Sequence, residues 1–215
     1  MEQRIQLSDH FTYKRLIRFV FPSIIMMICT SMYSIIDGLF ISNFAGKTAF
    51  AAVNLILPVA MGVGAIGFMI GSGGSAIVAK TLGEGKIENA NEYFSMLVYI
   101  TAIGGIIIAT LSMFLVKPVA ILFGASGTLL DNCILYGRIL CISLPAFMLQ
   151  NVFQSFFVTA EKPHLGLRVI VIAGVTNMVL DALLVGVFRW GLAGAALATI
   201  LSQLASFCML LLGCA

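Results

Sequence analysis

Charged residues are absent from four long stretches of the chain: Thr48–Ala79, Tyr93–Val116, Ile139–Ala160 and Trp190–Ala215. These runs hold 32, 24, 22 and 26 residues. A helix rises 1.5 Å per residue, so about 20 residues cross a hydrocarbon layer of about 30 Å. Two further apolar stretches each carry one acid. Leu16–Ile41 carries Asp37, and Leu165–Phe188 carries Asp181, with Arg168 near its start. The pattern predicts six transmembrane helices, over about 16–41, 49–79, 93–116, 133–158, 165–188 and 191–213. Apolar and polar positions do not alternate along these runs, which excludes a strand barrel. The predicted connections 42–48, 117–132, 161–164 and 189–190 leave no room for a soluble domain, and Lys80–Glu92 is the most polar interior stretch. Residues 1–215 therefore read as a single all-α membrane domain.

Composition agrees. Hydrophobic residues make up 60% of the chain and charged residues 10%, against about 25% charged in an ordinary soluble domain. The surplus of apolar side chains needs a second apolar phase, and the lipid bilayer is the partner this implies. A soluble enzyme, a disordered chain and a secreted disulfide scaffold are excluded. Net charge is +3 with no basic run, so nucleic acid is not an expected partner.

Lys and Arg set the expected orientation. Arg4, Lys14, Arg15, Arg18, Lys80, Lys86, Lys162 and Arg168 fall on one side, and Lys47, Lys117 and Arg189 on the other, with Arg138 inside the fourth helix. The positive-inside rule then places both termini in the cytoplasm. The first apolar run is too long for a cleaved signal peptide and reads as a retained helix.

Familiar reaction motifs are missing. The five cysteines, Cys29, Cys133, Cys141, Cys208 and Cys214, show no CxxC spacing and read as small packing residues. His10 and His164 have no zinc-like partners nearby. There is no GxSxG, HExxH or Walker A motif. The Gly71–Ser75 stretch lacks the GK[ST] ending of a phosphate loop. With Gly62, Gly64, Gly67, Gly71 and Gly74 it reads as a surface for close helix packing. No enzyme and no cofactor is expected.

An ionisable group inside a membrane helix is costly and marks function by default. Asp37 and Asp181 are the acids inside helices. Asn177 precedes Asp181 by four residues and Tyr33 precedes Asp37 by four, with Ser34 beside it, so each acid has a polar residue on its own helix face. Carboxylates, an amide oxygen and hydroxyls are the hard ligands a small cation requires. They equally suit a proton-carrying carboxylate pair. A helix cap or a single buried polar partner would also account for either acid taken alone. A gapless offset of 144 residues superposes 37–57 on 181–201 with 8 identities in 21 positions, including Asp37 on Asp181. Both acids thus sit one to two turns before a tight turn, at matching depth.

The segments MYSIIDGLFISNFAGKTAFAAVNLILPVAMG, AKTLGEGKIENAN, FQSFFVTAEKPHLG, NMVLD and GLAGAALATILSQ occur in this order along nearly the whole chain. Together they resemble the MATE family, the multidrug and toxic compound extrusion transporters, with the bacterial multidrug branch most similar. The resemblance implies a twelve-helix antiporter of the bacterial cytoplasmic membrane. Its two six-helix lobes are related by an axis along the membrane normal, and it exports small amphipathic, often cationic drugs against sodium or protons. Carried over motif by motif, it assigns cation binding or proton coupling to Asp37, Tyr33, Asn177, Asp181, Thr199 and Tyr136, and a bending proline to Pro22. Asp37, Asn177, Asp181 and Thr199 are the ligands if the ion is sodium. The chain departs from the pattern by holding six helices. It reads as one lobe, whose partner would be a missing C-terminal lobe or a second copy of the chain.

Gln150, Asn151 and Gln154 remain on the fourth helix as candidates to line a substrate cavity, or simply to bond between helices. Two other functions stay open: a flippase for lipid or lipid-linked oligosaccharide on a related fold, and a non-transporting membrane fragment.

Overall fold

In the computed structural model, which describes residues 13–160 and 163–214, six helices run in chain order: α1 Tyr13–Phe40, α2 Lys47–Gly83, α3 Ile87–Leu122, α4 Gly127–Thr159, α5 Pro163–Asp181 and α6 Gly191–Cys214. All six contain stretches long and apolar enough to cross a membrane. Side chains of Lys14, Arg15, Arg18, Pro22 and His164 lie outside the described residues, as do residues 1–12 with Arg4 and His10, and residues 161–162 with Lys162. The hinge expected at Pro22 therefore falls within α1, but its side chain is not among those described.

The connections are shorter than the polar residues suggest. The segment expected as a loop over 117–132 shrinks to Phe123–Ser126, and Lys80–Glu92 breaks its helices over Glu84–Lys86 alone. Lys117, Asp131 and Asn132 stay helical, because a helix satisfies its own backbone and can continue past the apolar layer. Both breaks are Schellman turns. Lys86 N–H donates to Thr81 O at 3.2 Å and Gly85 N–H to Leu82 O at 3.0 Å; Ala125 and Gly124 repeat this on Ala120 and Ile121 at 2.9 Å each. Gly85 and Gly124 take φ of 78° and 84°, which only glycine adopts without strain.

α4 is the central helix. Of its most apolar window 50% is buried, against 11% for α1. It packs on α2, α3 and α6, while α1 leans mainly on α5. The α2–α4 seam is close because α2 offers glycines. A Cβ on Gly67 would lie 2.7 Å from the Met148 Cα, and one on Gly71 2.8 Å from the Val152 Cα. Gly64 sits against the Phe147 ring and Gly74 against Leu97 of α3. Gly62 is different: nothing lies within 4 Å of its Cβ position, so it is no part of the seam. Pro58, Pro118 and Pro145 lie inside α2, α3 and α4. Packing against neighbouring helices tolerates the hydrogen bonds they remove.

Gly67→Ala should cost about 1–3 kcal/mol, because α2 and α4 must separate, whereas Gly62→Ala should be neutral or gain up to about 1 kcal/mol of helix propensity. Unfolding temperatures of the two variants in detergent check this directly.

Candidate functional site

Each of the two acids, Asp37 half-buried and Asp181 buried, is followed by a distortion of its own helix. α1 passes into a π-helical segment at Ile41–Ala45, and α5 into another at Ala182–Val187, directly after Asp181. Long i→i−5 bonds mark both: Gly46 N–H to Ile41 O at 3.1 Å and Phe188 N–H to Leu183 O at 2.8 Å. Such segments are rare and recur at functional sites, since the wider turn re-aims nearby side chains. The two π segments pack on each other. The stretches related by the 144-residue offset thus fold alike, as an acid, a π segment, a turn and a helix starting with small residues.

This local geometry brings the acids together. Asp37 and Asp181 are neighbours, with Tyr33 and Tyr136 close by. Asp181 is 0% exposed, Tyr136 1% and Asn177 4%. Two carboxylates are acceptors only. Their mutual repulsion would be relieved by a proton on one of them or by a cation between them.

Asp37 lines a cavity of about 130 Å³ bounded by α1, α2, α4, α5 and α6; Asp181 is not in its lining and lies one helical turn beyond the lining residue Asn177. Tyr33, Asp37, Tyr136, Asn177 and Thr199 all line it. Its Ser and Thr hydroxyls are already committed as donors. Ser34, Ser143, Thr199, Ser202 and Ser206 donate to Thr30 O, Leu140 O, Ala195 O, Thr199 O and Ser202 O of their own helices at 2.8–3.1 Å. Lone pairs are what they have left to offer. The buried side-chain atoms without a hydrogen-bond partner among the described residues are all oxygens: Asp37 Oδ1, Asp181 Oδ1 and Oδ2, Asn177 Oδ1, Gln150 Oε1 and Gln203 Oε1. Tyrosine hydroxyls and amide nitrogens remain as neutral donors, and no Lys or Arg lines the cavity. The orphaned oxygens of Asp37, Asp181 and Asn177 are of the hard type a small cation takes. No group of three His, Cys, Asp or Glu residues that would suit a transition metal occurs among the described residues.

The fourth-helix candidates divide. Gln150 lines this cavity. Gln154 joins Gln150 at a smaller cavity of about 10 Å³ beside Phe157 and Gly166, and its Nε2 points to Met26 Sδ of α1 at 3.9 Å. Asn151 is in neither lining, a correction to its expected place. Its Nδ2 donates to Gly64 O at 3.4 Å, so it ties α4 to α2 instead. Gln203, Ser143, Ser202 and Ser206 were not anticipated. The signal was present: Thr199, Ser202, Gln203 and Ser206 recur at i, i+3, i+4 and i+7 in an uncharged helix, a polar stripe on one face.

A six-helix membrane bundle with a paired-acid cavity defines a lobe of a membrane transport protein. The chain belongs to the MatE family, whose model matches residues 22–183. It is similar to the multidrug export protein MepA of Staphylococcus saprophyticus, 25% identical over 202 residues, covering 94% of this chain and 45% of that one. The MepA of Staphylococcus aureus is 23% identical over 205 residues, covering 95% and 46%. The chain thus spans about half the length of the curated relatives it matches. Among solved structures, a MOP superfamily transporter from Pyrococcus furiosus matches with a TM-score of 0.84 and 26% identity, over 90% of this chain and 43% of that one. An inward-facing multidrug resistance MATE transporter matches at 0.79 and 25%, over 84% and 41%. The chain is a multi-pass membrane protein of a transporter family.

Asp181→Asn supplies an amide donor to the neighbouring Asp37 oxygen. It should raise the unfolding temperature at pH 8 in sodium-free buffer, by the equivalent of about 1–3 kcal/mol, and remove any further rise on adding sodium. Scanning calorimetry with and without sodium reads both effects.

Proposed function

We propose that this chain forms the N-terminal lobe of a cation-coupled multidrug efflux antiporter, with both termini in the cytoplasm. The observation that carries the reading is the orphaned oxygens of Asp37, Asp181 and Asn177. Sodium is held by Asp37, Asp181, Asn177 and Thr199, and a proton shared by the two carboxyls competes with it. Tyr33 and Tyr136 donate to the carboxylates in either state. The 8:3 bias of Lys and Arg puts the acids in the outer half of the bundle, where they meet the inward ion gradient. Binding draws α1 toward α5. Because α1 leans mainly on α5, it shifts without disturbing the α2–α4 seam. The shift reshapes the cleft against the second lobe, supplied by the rest of a longer protein or by a second copy. An amphipathic, cationic drug is then released outward.

A cavity without Lys or Arg among its lining residues supports a cation over the anionic headgroup a lipid-linked oligosaccharide flippase would need. Arg138 is exposed on α4 and stands apart from the cavity.

In a complete transporter carrying this lobe, Asp37→Asn and Asp181→Asn should each abolish drug resistance in a minimum-inhibitory-concentration assay at unchanged membrane abundance. Asn177→Ala and Thr199→Ala should weaken the sodium dependence of export by about tenfold, the loss of one neutral ligand worth about 1.4 kcal/mol, with drug binding kept. Normal export by either Asn variant would remove the coupling role from that residue.

A further inference from the structure

Two cations lie away from the cavity. Arg138 is exposed on α4 and Lys117 on α3, and neither has an ion-pair partner among the described residues. Each borders an uncharged run: Lys117 directly follows residues 93–116, and Arg138 directly precedes residues 139–160. Those runs of 24 and 22 residues rise about 33–36 Å, close to the hydrocarbon thickness of about 30 Å. In the orientation given above, both cations therefore stand at the outer edge of the apolar layer, where lipid phosphates begin.

The packing of α3 on α4 sets them side by side. A Cβ on Gly137 would lie 2.7 Å from Val116 Cγ1, so these two residues are level across the seam. Arg138 follows one and Lys117 the other. The helices are antiparallel, joined by the short connection 123–126, and one residue forward turns a helix by about 100°. On antiparallel neighbours that step swings both side chains to the same side of the seam. Their Cα atoms are then offset by about 3 Å along the axes, on helices about 8–10 Å apart. Helix side chains lean toward the N-terminus of their own helix. Arg138, the deeper of the two, leans outward and Lys117 leans inward, so the charged heads converge.

The surroundings are apolar and uncovered. Phe114 and Ile121 stand three before and four after Lys117, and Leu135 and Ile142 three before and four after Arg138. At those spacings they share the face of their cation, and all four are exposed. Asp131 shares the α4 face about 10 Å further out and pairs with neither cation. Two like charges meeting at the edge of hydrocarbon call for an anion between them. A phosphodiester meets the need: the Arg fork takes two of its oxygens and Lys adds a point charge.

We propose that Lys117 and Arg138 hold the phosphate of an anionic phospholipid in the groove between α3 and α4, with its acyl chains along Phe114 and Ile142. The orientation makes this the outer leaflet. The site stands on α3 and α4 alone and is independent of the cation-coupled reading of the acids. Basic sites between membrane helices recognise headgroups in this way, and the apolar flanks at the same depth favour a lipid over a carboxylate from another protein.

The experiment is native mass spectrometry of the purified chain in detergent with phosphatidylglycerol or phosphatidylcholine added. The wild type should hold one phosphatidylglycerol in clear preference to the zwitterionic lipid. Arg138→Gln and Lys117→Gln should each weaken that binding about fivefold, the worth of one Lys or Arg near an anionic surface, and the double variant should lose the preference. Arg138→Lys, which keeps the charge, should retain most of it. Lys47→Gln, which removes an exposed cation at the start of α2, should bind as the wild type does. A wild type without preference, or an equal loss in Lys47→Gln, overturns the site. If the Gln variants keep their lipid and lose self-association in the same spectra, this face is a contact between copies and the lipid proposal fails.

Discussion

Around the Asp37–Asp181 pair and its cavity, six buried side-chain oxygens have no hydrogen-bond partner among the described residues, and this imbalance is the constraint the rest of the bundle surrounds. Inside a bilayer each unsatisfied polar group costs free energy that no neighbouring water can offset cheaply. A fold that gathers acceptors, and spends its Ser and Thr protons on its own helix carbonyls, keeps the cavity selective for something that brings positive charge. The two neighbouring carboxylates make the demand stronger, since like charges repel unless a proton or an ion lies between them.

The scaffold divides into a rigid part and a lightly held one. Glycines at 64, 67 and 71 let α2 lie against the α4 backbone, and Asn151 adds a polar tie to Gly64. α4 can then present Tyr136, Ser143 and Gln150 from a fixed position. α1 has no such seam. It leans on α5, where Tyr33 packs near Gly174, and carries Asp37, the acid to which the proposal assigns the ion response. π segments after Asp37 and Asp181 touch each other, so a change at one carboxyl reaches the turn of the other helix pair. The proposed coupling between ion and helix movement relies on this arrangement: firm packing of α4 on α2, and an α1 that packs mainly on α5.

The helices and the acids were legible in the sequence because their signals are physically loud. Twenty or more apolar residues without a charge have few other destinations, and an acid inside such a run is too costly to be incidental. The quieter features were not read in advance. Lys117 and Asp131 suggested a loop, yet helix ends here are set by Gly85 and Gly124 in Schellman turns. Asn151 and Gln150 are sequence neighbours about 100° apart on a helix, and the choice of which one faced α2 depended on where the α2 glycines came to rest. Gln203 passed unnoticed because a lone amide in an apolar helix is unremarkable until its stripe with Thr199, Ser202 and Ser206 is seen to face the cavity.

The central claim is that the acid pair holds sodium in competition with protons. Trp190, the sole tryptophan, reports on it. It follows the π segment that begins after Asp181, donates its backbone N–H to Leu184 O at 2.9 Å, and stacks near Phe188 at 5.8 Å. Sodium binding at Asp181 should therefore change its emission. Titrating the purified protein with sodium at pH 8 and at pH 6, with choline as the control cation, should give a saturable change whose midpoint moves to higher sodium at the lower pH. A pH-dependent change with no sodium response at either pH would contradict the account and reduce the site to a proton carrier.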